Sequence, residues 1–326
     1  MSTLEAPSFQ DVLRARAVVR RYLEPTPLIA RPAIDERFGF NAYFKCENMQ
    51  PTGAFKIRGG IYLMSRLSDD ERGRGVVTAS TGNHGQSIAY AAREFGVRAV
   101  VYAPEGANPG KVTAMQQLGA EVVLTGRDFD ESRIAAGERA IADGMRFIHS
   151  ANEPDLIAGV GTYALELIES IPDLDTVIVP IGAGSGVCGT LTVIKAINPA
   201  IRVIGVQTTH MDAVYRSWKE GRLVSLEGGT TFADGLATRV AFELPLKIIN
   251  EQIDDITLVT DEDLCRAIVL LLEDAHLVAE GAGAATTAAA LKLRDELAGQ
   301  KVALIVSGGN ITLDTLRWAI ATGSRD

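Results

Sequence analysis

An alternation of short apolar runs with longer helical stretches limits what this chain can fold into more than any other feature. From residue 75 onward, apolar runs rich in β-branched residues occur at Gly75–Thr78, Arg98–Tyr102, Glu121–Leu124, Met145–Ile148, Thr176–Val179, Arg202–Val206, Ile256–Val259 and Val302–Val306. Most are separated by stretches of helical length and periodicity, such as Gln86–Phe95, Pro109–Leu118 and Asp263–Ala275. A strand that is apolar on both faces must be covered on both, and strands joined through helices run parallel. The pattern predicts an α/β fold made of mostly parallel sheets flanked by helices.

Upstream of the alternation, Ser8 and Asp11 form an N-cap signal, and Val12, Ala15, Val19 and Tyr22 recur at helical spacing until Pro25. Pro25 and Pro27 predict a loop, and a short strand is expected around Tyr43–Cys46. No Pro- or Ser-rich linker divides the chain. The first four runs suffice for a small sheet of their own, so the expected division is a small domain over 75–149 and a large domain of 1–74 plus 150–326. The chain ends soon after Trp318, so no appended regulatory domain is expected.

Composition narrows the function classes. The net charge is −9 and no Lys/Arg-rich stripe occurs, which argues against nucleic acid as a partner. The first 25 residues mix charges with apolar residues, and nowhere is there an uninterrupted apolar run long enough to span a bilayer. The three cysteines, Cys46, Cys188 and Cys265, follow neither a disulfide framework nor zinc-ligand spacing. A cytoplasmic protein with no membrane and no metal partner is expected.

Four short segments carry candidate chemistry. Gly182-Ala-Gly-Ser-Gly-Val-Cys-Gly189 follows an apolar strand and opens a helix, the arrangement that converges backbone N–H groups on an anion. Gly184, Gly186 and Gly189 also satisfy G-x-G-x-x-G. A dinucleotide fold would want an acidic residue at the end of the next strand, where Gln207 stands, and the same glycines would equally serve close helix–strand packing. Gly106–Thr113 resembles a P-loop only loosely, since Gly110-Lys111 is followed by Val112. In Pro51-Thr-Gly-Ala-Phe-Lys-Ile-Arg-Gly-Gly60, Lys56 lies between Phe55 and Ile57. Burial there would depress its pKa and make it a nucleophile, although most lysines are solvated. Ser80-Thr-Gly-Asn-His-Gly85 turns from a strand into a helix and offers a dense set of donors for a carboxylate. Ser307-Gly-Gly-Asn310 follows the last apolar run, at a strand's carboxyl end.

Taken in this order, with Glu47-Asn, Ala233-Asp-Gly235 and Glu280-Gly-Ala-Gly added, these segments resemble the serine/threonine dehydratase and serine racemase family of fold-type II pyridoxal phosphate enzymes. The resemblance runs from about Pro25 to beyond Asn310. It implies a two-lobed fold and a homodimer, with pyridoxal 5'-phosphate as the cofactor. By resemblance, Lys56 is the Schiff-base lysine and Phe55 packs on one cofactor face. Gly182, Ala183, Gly184, Ser185 and Gly186 form the phosphate loop. Asn83 bonds the ring hydroxyl, Ser307 partners the pyridine nitrogen, and Gly235 and Glu280 line the ring. Ser80, Thr81 and His84 take the substrate carboxylate, and Arg133 approaches the substrate from the small lobe.

The activity implied is an ammonia-lyase acting on a β-hydroxy amino acid, with the Lys56 amine as general base. A serine-type racemase is the alternative, with Lys56 and Thr81 as opposing acid/base groups. A carrier without catalysis would need the phosphate loop and little else. Members of the family that bind a divalent cation place an acidic residue where this chain has Gln207. A hard cation prefers carboxylate oxygens, so the metal site is expected to be altered or lost.

Overall fold

The computed structural model describes residues 4–127 and 129–324. The described residues form ten strands: β1 (Leu28–Ile29), β2 (Asn41–Lys45), β3 (Val76–Ala79), β4 (Ala99–Ala103), β5 (Glu121–Leu124), β6 (Arg146–Phe147), β7 (Thr176–Pro180), β8 (Arg202–Thr208), β9 (Asp255–Val259) and β10 (Lys301–Ile305). Their contacts divide the chain into two compact units. One comprises the chain up to Glu24 with Lys56–Val160, and the other Pro25–Phe55 with the chain from Gly161 on. The predicted α/β class is what the chain adopts.

The first unit holds a four-stranded sheet in the order β5-β4-β3-β6, and every pairing in it is parallel. Val77, Val100, Ala136, Ala140 and Met145 form a core between this sheet and the helix Phe129–Asp143. The chain steps outward from β3 to β4 to β5, then returns to the other side of β3 as β6. Where the direction of winding reverses, the loops after two adjacent strands part and leave a crevice at their carboxyl ends. The loop after β3 begins at Ser80 and the one after β6 at Ile148. The helix Phe9–Val19 in this unit starts as expected: Ser8 Oγ accepts from Asp11 N–H while the Asp11 carboxylate accepts from Ser8 N–H.

The second unit holds a six-stranded sheet in the order β1-β2-β10-β7-β8-β9. It is parallel except for β1, which pairs antiparallel with β2 through Leu28 and Lys45. β1 falls where the two prolines predict only loop, because two residues are too few to show the alternation that betrays a strand. Ile178, Ile204, Val206, Leu264, Ile268 and Leu304 belong to its core. The winding reverses again here, with β8 and β9 on one side of β7 and β10 on the other. The loops that begin at Ile181 and Val306 therefore share a carboxyl-end crevice.

A buried polar network steadies the start of this unit. Lys45 Nζ donates to Glu166 at 2.5 Å and to the Thr26 carbonyl at 2.9 Å, and Thr26 Oγ1 donates to the fully buried Glu47 at 2.6 Å. Each buried charge thus has a partner, without which its desolvation would be costly. The network anchors the chain just upstream of the segment that leads to Lys56.

Candidate functional site

The first unit contributes Lys56, the Ser80–Gly85 turn and the residues after β6. Lys56 is the first residue of the helix Lys56–Arg66, and its carbonyl accepts from Ser87 Oγ at 2.6 Å. The side chain is half-buried, and desolvation pushes its pKa from the ordinary 10.5 down to about 8. The nucleophilic lysine proposed on sequence grounds therefore has the depressed basicity that role requires.

Ser80 leaves β3 and spends its side-chain oxygen on the backbone, accepting from Gly82 N–H at 3.1 Å and from Gly85 N–H at 2.8 Å. This holds the turn that launches the helix Asn83–Glu94. The hydroxyl proton of Ser80 remains for a ligand, while its oxygen acts as the cap. Thr81 and Asn83, at the mouth of the turn, are half-buried.

His84 is buried, and its proton can be assigned. Thr78 Oγ1 lies 3.0 Å from His84 Nε2 and 2.8 Å from the Ile148 carbonyl. The carbonyl can only accept, so the single hydroxyl proton goes to it, and His84 must donate from Nε2. Its Nδ1 is a buried acceptor with no partner. Burial, and then the nearby Lys56 and His149, hold the ring well below its ordinary pKa. A neutral ring whose one proton is already placed has no N–H left for a carboxylate. The donors remaining in this turn are backbone N–H groups at the helix start and the hydroxyls of Ser80 and Thr81.

His149, just beyond β6, is fixed in the same way: its Nδ1 accepts from the N–H groups of Ala151 and Asn152, both at 3.0 Å. Burial, and then the Arg133 charge, push it down to about 4. Arg133 itself is 41% exposed and lies 3.8 Å from Asp130, one turn back on its own helix. Sequence reasoning passed over Lys111 except as part of the failed P-loop pattern. It is buried, and its side chain lies across Gly82: a Cβ built there would be 2.9 Å from Lys111 Cδ and 3.3 Å from its Nζ. The ammonium thus sits beside the turn assigned to an anion.

The second unit contributes the glycine loop, Phe55, Ser307 and the residues around Gly235. The loop leaves β7 and enters the helix Ser185–Ile197, whose cap, Gly184, has φ +103°. A side chain there would be strained and would meet Pro245. Gly182 faces Gly235 so closely that a Cβ on it would lie 2.0 Å from the Gly235 carbonyl oxygen. The turn therefore keeps its backbone bare at a helix N-terminus, which suits an anion.

Ser307 is 5% exposed, and its hydroxyl makes no hydrogen bond among the described residues, while its carbonyl accepts from Phe55 N–H at 3.0 Å. Asn310 Nδ2 donates to the Thr52 carbonyl at 2.8 Å, and Gly309 N–H to the Gly53 carbonyl at 2.9 Å, so the 307–310 turn holds the 52–55 segment along its length. Glu280 caps the helix Gly281–Lys292 and lays its carboxylate over Gly308, where a Cβ would be 2.4 Å from Oε1. It also approaches Gly235, 4.0 Å from a Cβ built there. Gln207 is fully buried, and its amide oxygen accepts from Tyr215 N–H at 2.8 Å, capping the helix Ala213–Glu220. Among the described residues, no group of three or more His, Cys, Asp or Glu side chains is arranged to hold a metal ion.

Taken one by one, the lysine of lowered basicity in the first unit, and the bare glycine turn and the buried serine hydroxyl in the second, are of the kinds that suit an aldehyde, a phosphate and a ring nitrogen. The family model of the pyridoxal-phosphate dependent enzymes matches residues 19–308. An L-threonine ammonia-lyase of Thermotoga maritima is 40% identical over 316 residues, 97% of this chain and 79% of that one. A catabolic L-threonine dehydratase of Staphylococcus aureus is 35% identical over 99% of this chain and 94% of its own. Among solved structures, maize serine racemase superposes with a TM-score of 0.91 at 32% identity, covering 97% of this chain and 98% of that one. This chain belongs to the pyridoxal-phosphate dependent enzymes.

Proposed function

We propose that the protein is an ammonia-lyase, a dehydratase that converts a β-hydroxy amino acid of the serine or threonine type to a 2-oxo acid and ammonia by α,β-elimination. The observation that carries this reading is the depressed basicity of Lys56, whose neighbour Phe55 is bonded through its backbone to Ser307. The names of the threonine ammonia-lyase and dehydratase relatives support elimination over racemisation. The cofactor supplies an electron sink at the substrate's Cα. Lys56 would hold it and, as a free amine, would take the Cα proton. The loop 182–186 would hold the phosphate, and Asn83, Gly235 and Glu280 would line the ring. Ser307, a neutral hydroxyl, would face the ring nitrogen and supply no charge to hold a proton there, which would favour elimination over reprotonation. Loss of the proton and the hydroxyl leaves an unsaturated amine, which water converts to the 2-oxo acid and ammonia.

Substrate binding is assigned to Ser80, Thr81 and backbone N–H groups of the 80–85 turn, with Arg133 nearby. His84 shapes that turn, and Lys111 adds a positive charge beside it. A racemase would need Thr81 as the second acid/base. The protein is further proposed to work in the cytoplasm as a homodimer. Three buried free cysteines fit a reducing compartment, and Leu313 and Ile320, exposed seven residues apart on the last helix, share an apolar face for a second copy. No helix among the described residues is long and apolar enough to cross a membrane. Sedimentation equilibrium should return twice the chain mass; a single-chain mass at micromolar concentration would refute the dimer.

The reaction is tested on a panel of L- and D-β-hydroxy amino acids, following 2-oxo acid and ammonia together. Equal release of both from one substrate, absent in Lys56→Ala, is expected. Thr81→Ala should keep most of that release and remove any accompanying loss of optical rotation. Racemisation without release would overturn the lyase in favour of the racemase.

The pH dependence of cofactor uptake follows from Lys56. An ammonium cannot attack an aldehyde, so the reactive fraction rises with pH through the pKa and saturates above it. With that pKa at about 8, the rate at which the apoenzyme gains its visible absorption band should level off above pH 8. A rate still climbing steeply towards the ordinary lysine value of 10.5 would mean that Lys56 is solvated.

Lys111→Met should raise KM for the amino acid about tenfold or more while changing kcat far less, the pattern of a lost charge-assisted contact made equally in ground and transition states. An unchanged KM would remove Lys111 from substrate binding.

A further inference from the structure

Tyr163 is a fully buried side chain on the helix Thr162–Ser170, and none of the roles above uses it. A buried tyrosine finds a partner for its hydroxyl, and the choice of partner is informative here. Tyr163 Oη lies 2.9 Å from the Gly186 carbonyl and 2.6 Å from Thr190 Oγ1, and Thr190 Oγ1 is 3.0 Å from the same carbonyl. Two hydroxyl protons serve three contacts. One lies between the hydroxyls and the other on the carbonyl, so each hydroxyl braces the other, and removing either costs the bond between them and leaves a single unbraced donor on Gly186.

Gly186 lies in the first turn of the helix that the glycine loop opens. A Cβ built on it would be 3.3 Å from Phe55 Cζ and 3.8 Å from Tyr163 Oη. The Tyr163 ring stands edge-on to Phe55, with centroids 6.1 Å apart and planes at 85°. Phe55 is in turn fastened through its N–H to Ser307. One phenol therefore touches the loop and the residue before Lys56, and through that residue's backbone it reaches the serine after β10.

We propose that Tyr163 is a positioning residue for the cofactor phosphate, its hydroxyl holding the 182–186 turn in the form that converges its N–H groups on the dianion. This rests on the reading of 182–186 as the phosphate loop. A preorganised anion site loses affinity when its backbone is freed to move, because binding must then order it.

Tyr163→Phe retains the ring and its contact with Phe55 and removes only the hydroxyl. Its apoenzyme is titrated with pyridoxal phosphate and with pyridoxal, which lacks the phosphate, and the melting temperature of the apoenzyme is recorded alongside. The dissociation constant of pyridoxal phosphate should rise roughly five- to tenfold, the cost of one lost hydrogen bond, while that of pyridoxal changes less than about twofold and the apoenzyme melts as the wild type does. Equal weakening of both ligands, unchanged pyridoxal phosphate affinity, or a fall in apoenzyme melting temperature that alone accounts for the loss would overturn the proposal. Thr190→Val, which removes the other hydroxyl of the triangle, should reproduce the selective loss and serves as the test where Tyr163→Phe does not fold. A wild-type apoenzyme that binds pyridoxal as tightly as pyridoxal phosphate would refute the phosphate-loop reading itself, and with it the role of Tyr163.

Discussion

Parallel strands deliver their following loops to a single end, and that constraint organises everything functional in this chain. A residue after one strand meets residues after its neighbours however far apart they stand in sequence. Ser307, 125 positions after Gly182 in the numbering, comes to the same sheet end because β10 lies beside β7. In the same way the loops after β3 and β6 are brought together, and the Thr78 hydroxyl joins His84 to the Ile148 carbonyl across them. Each crevice opens where the winding reverses. The chemistry is gathered there because parallel hydrogen bonding forces it, before any side chain is chosen.

Much of this was legible in the residues, and the limits of legibility have physical causes. The apolar runs were visible because burial on both faces leaves a continuous signature, and eight of them correspond to β3 through β10. The run at Met145–Ile148 shrinks to Arg146–Phe147, an edge strand paired with β3 through Val76 and Val77 alone. The glycine loop could be located because its backbone approaches, such as Gly182 on Gly235, exclude side chains and so mark the sequence. Lys111 and Tyr163 left no such mark. Each is a single polar group whose importance depends on where another part of the chain lies, and a lone side chain has no period or spacing to detect. Ser80 and His84 show the reverse case. A motif names residue types that are able to bind, while only coordinates reveal that one oxygen is already capping a turn and one N–H is already given to Thr78.

Gln207 shows what a neutral side chain does at a buried position of β8. A carboxylate at that position would bring a buried charge that needs a counterion. The amide brings none, and its oxygen is used on the Tyr215 N–H at the start of a helix. The position keeps a structural duty that a neutral group performs without any ion. The buried Lys45–Glu166 pair represents the opposite solution, in which charge is retained inside the protein and fully matched.

The assignment of the His84 proton has a consequence for how the enzyme senses its surroundings. Histidine is the side chain best suited to report acidity near neutrality, yet both rings of this region are silenced. One is locked as a donor to Thr78, and the other as an acceptor of two backbone N–H groups. Burial keeps each from charging. Neither ring therefore gains charge near neutrality, whereas the free amine of Lys56, pushed down to about 8, does. A change of acidity near neutrality is thus answered in the apoenzyme by the free lysine amine, with no imidazole acting as an intermediary.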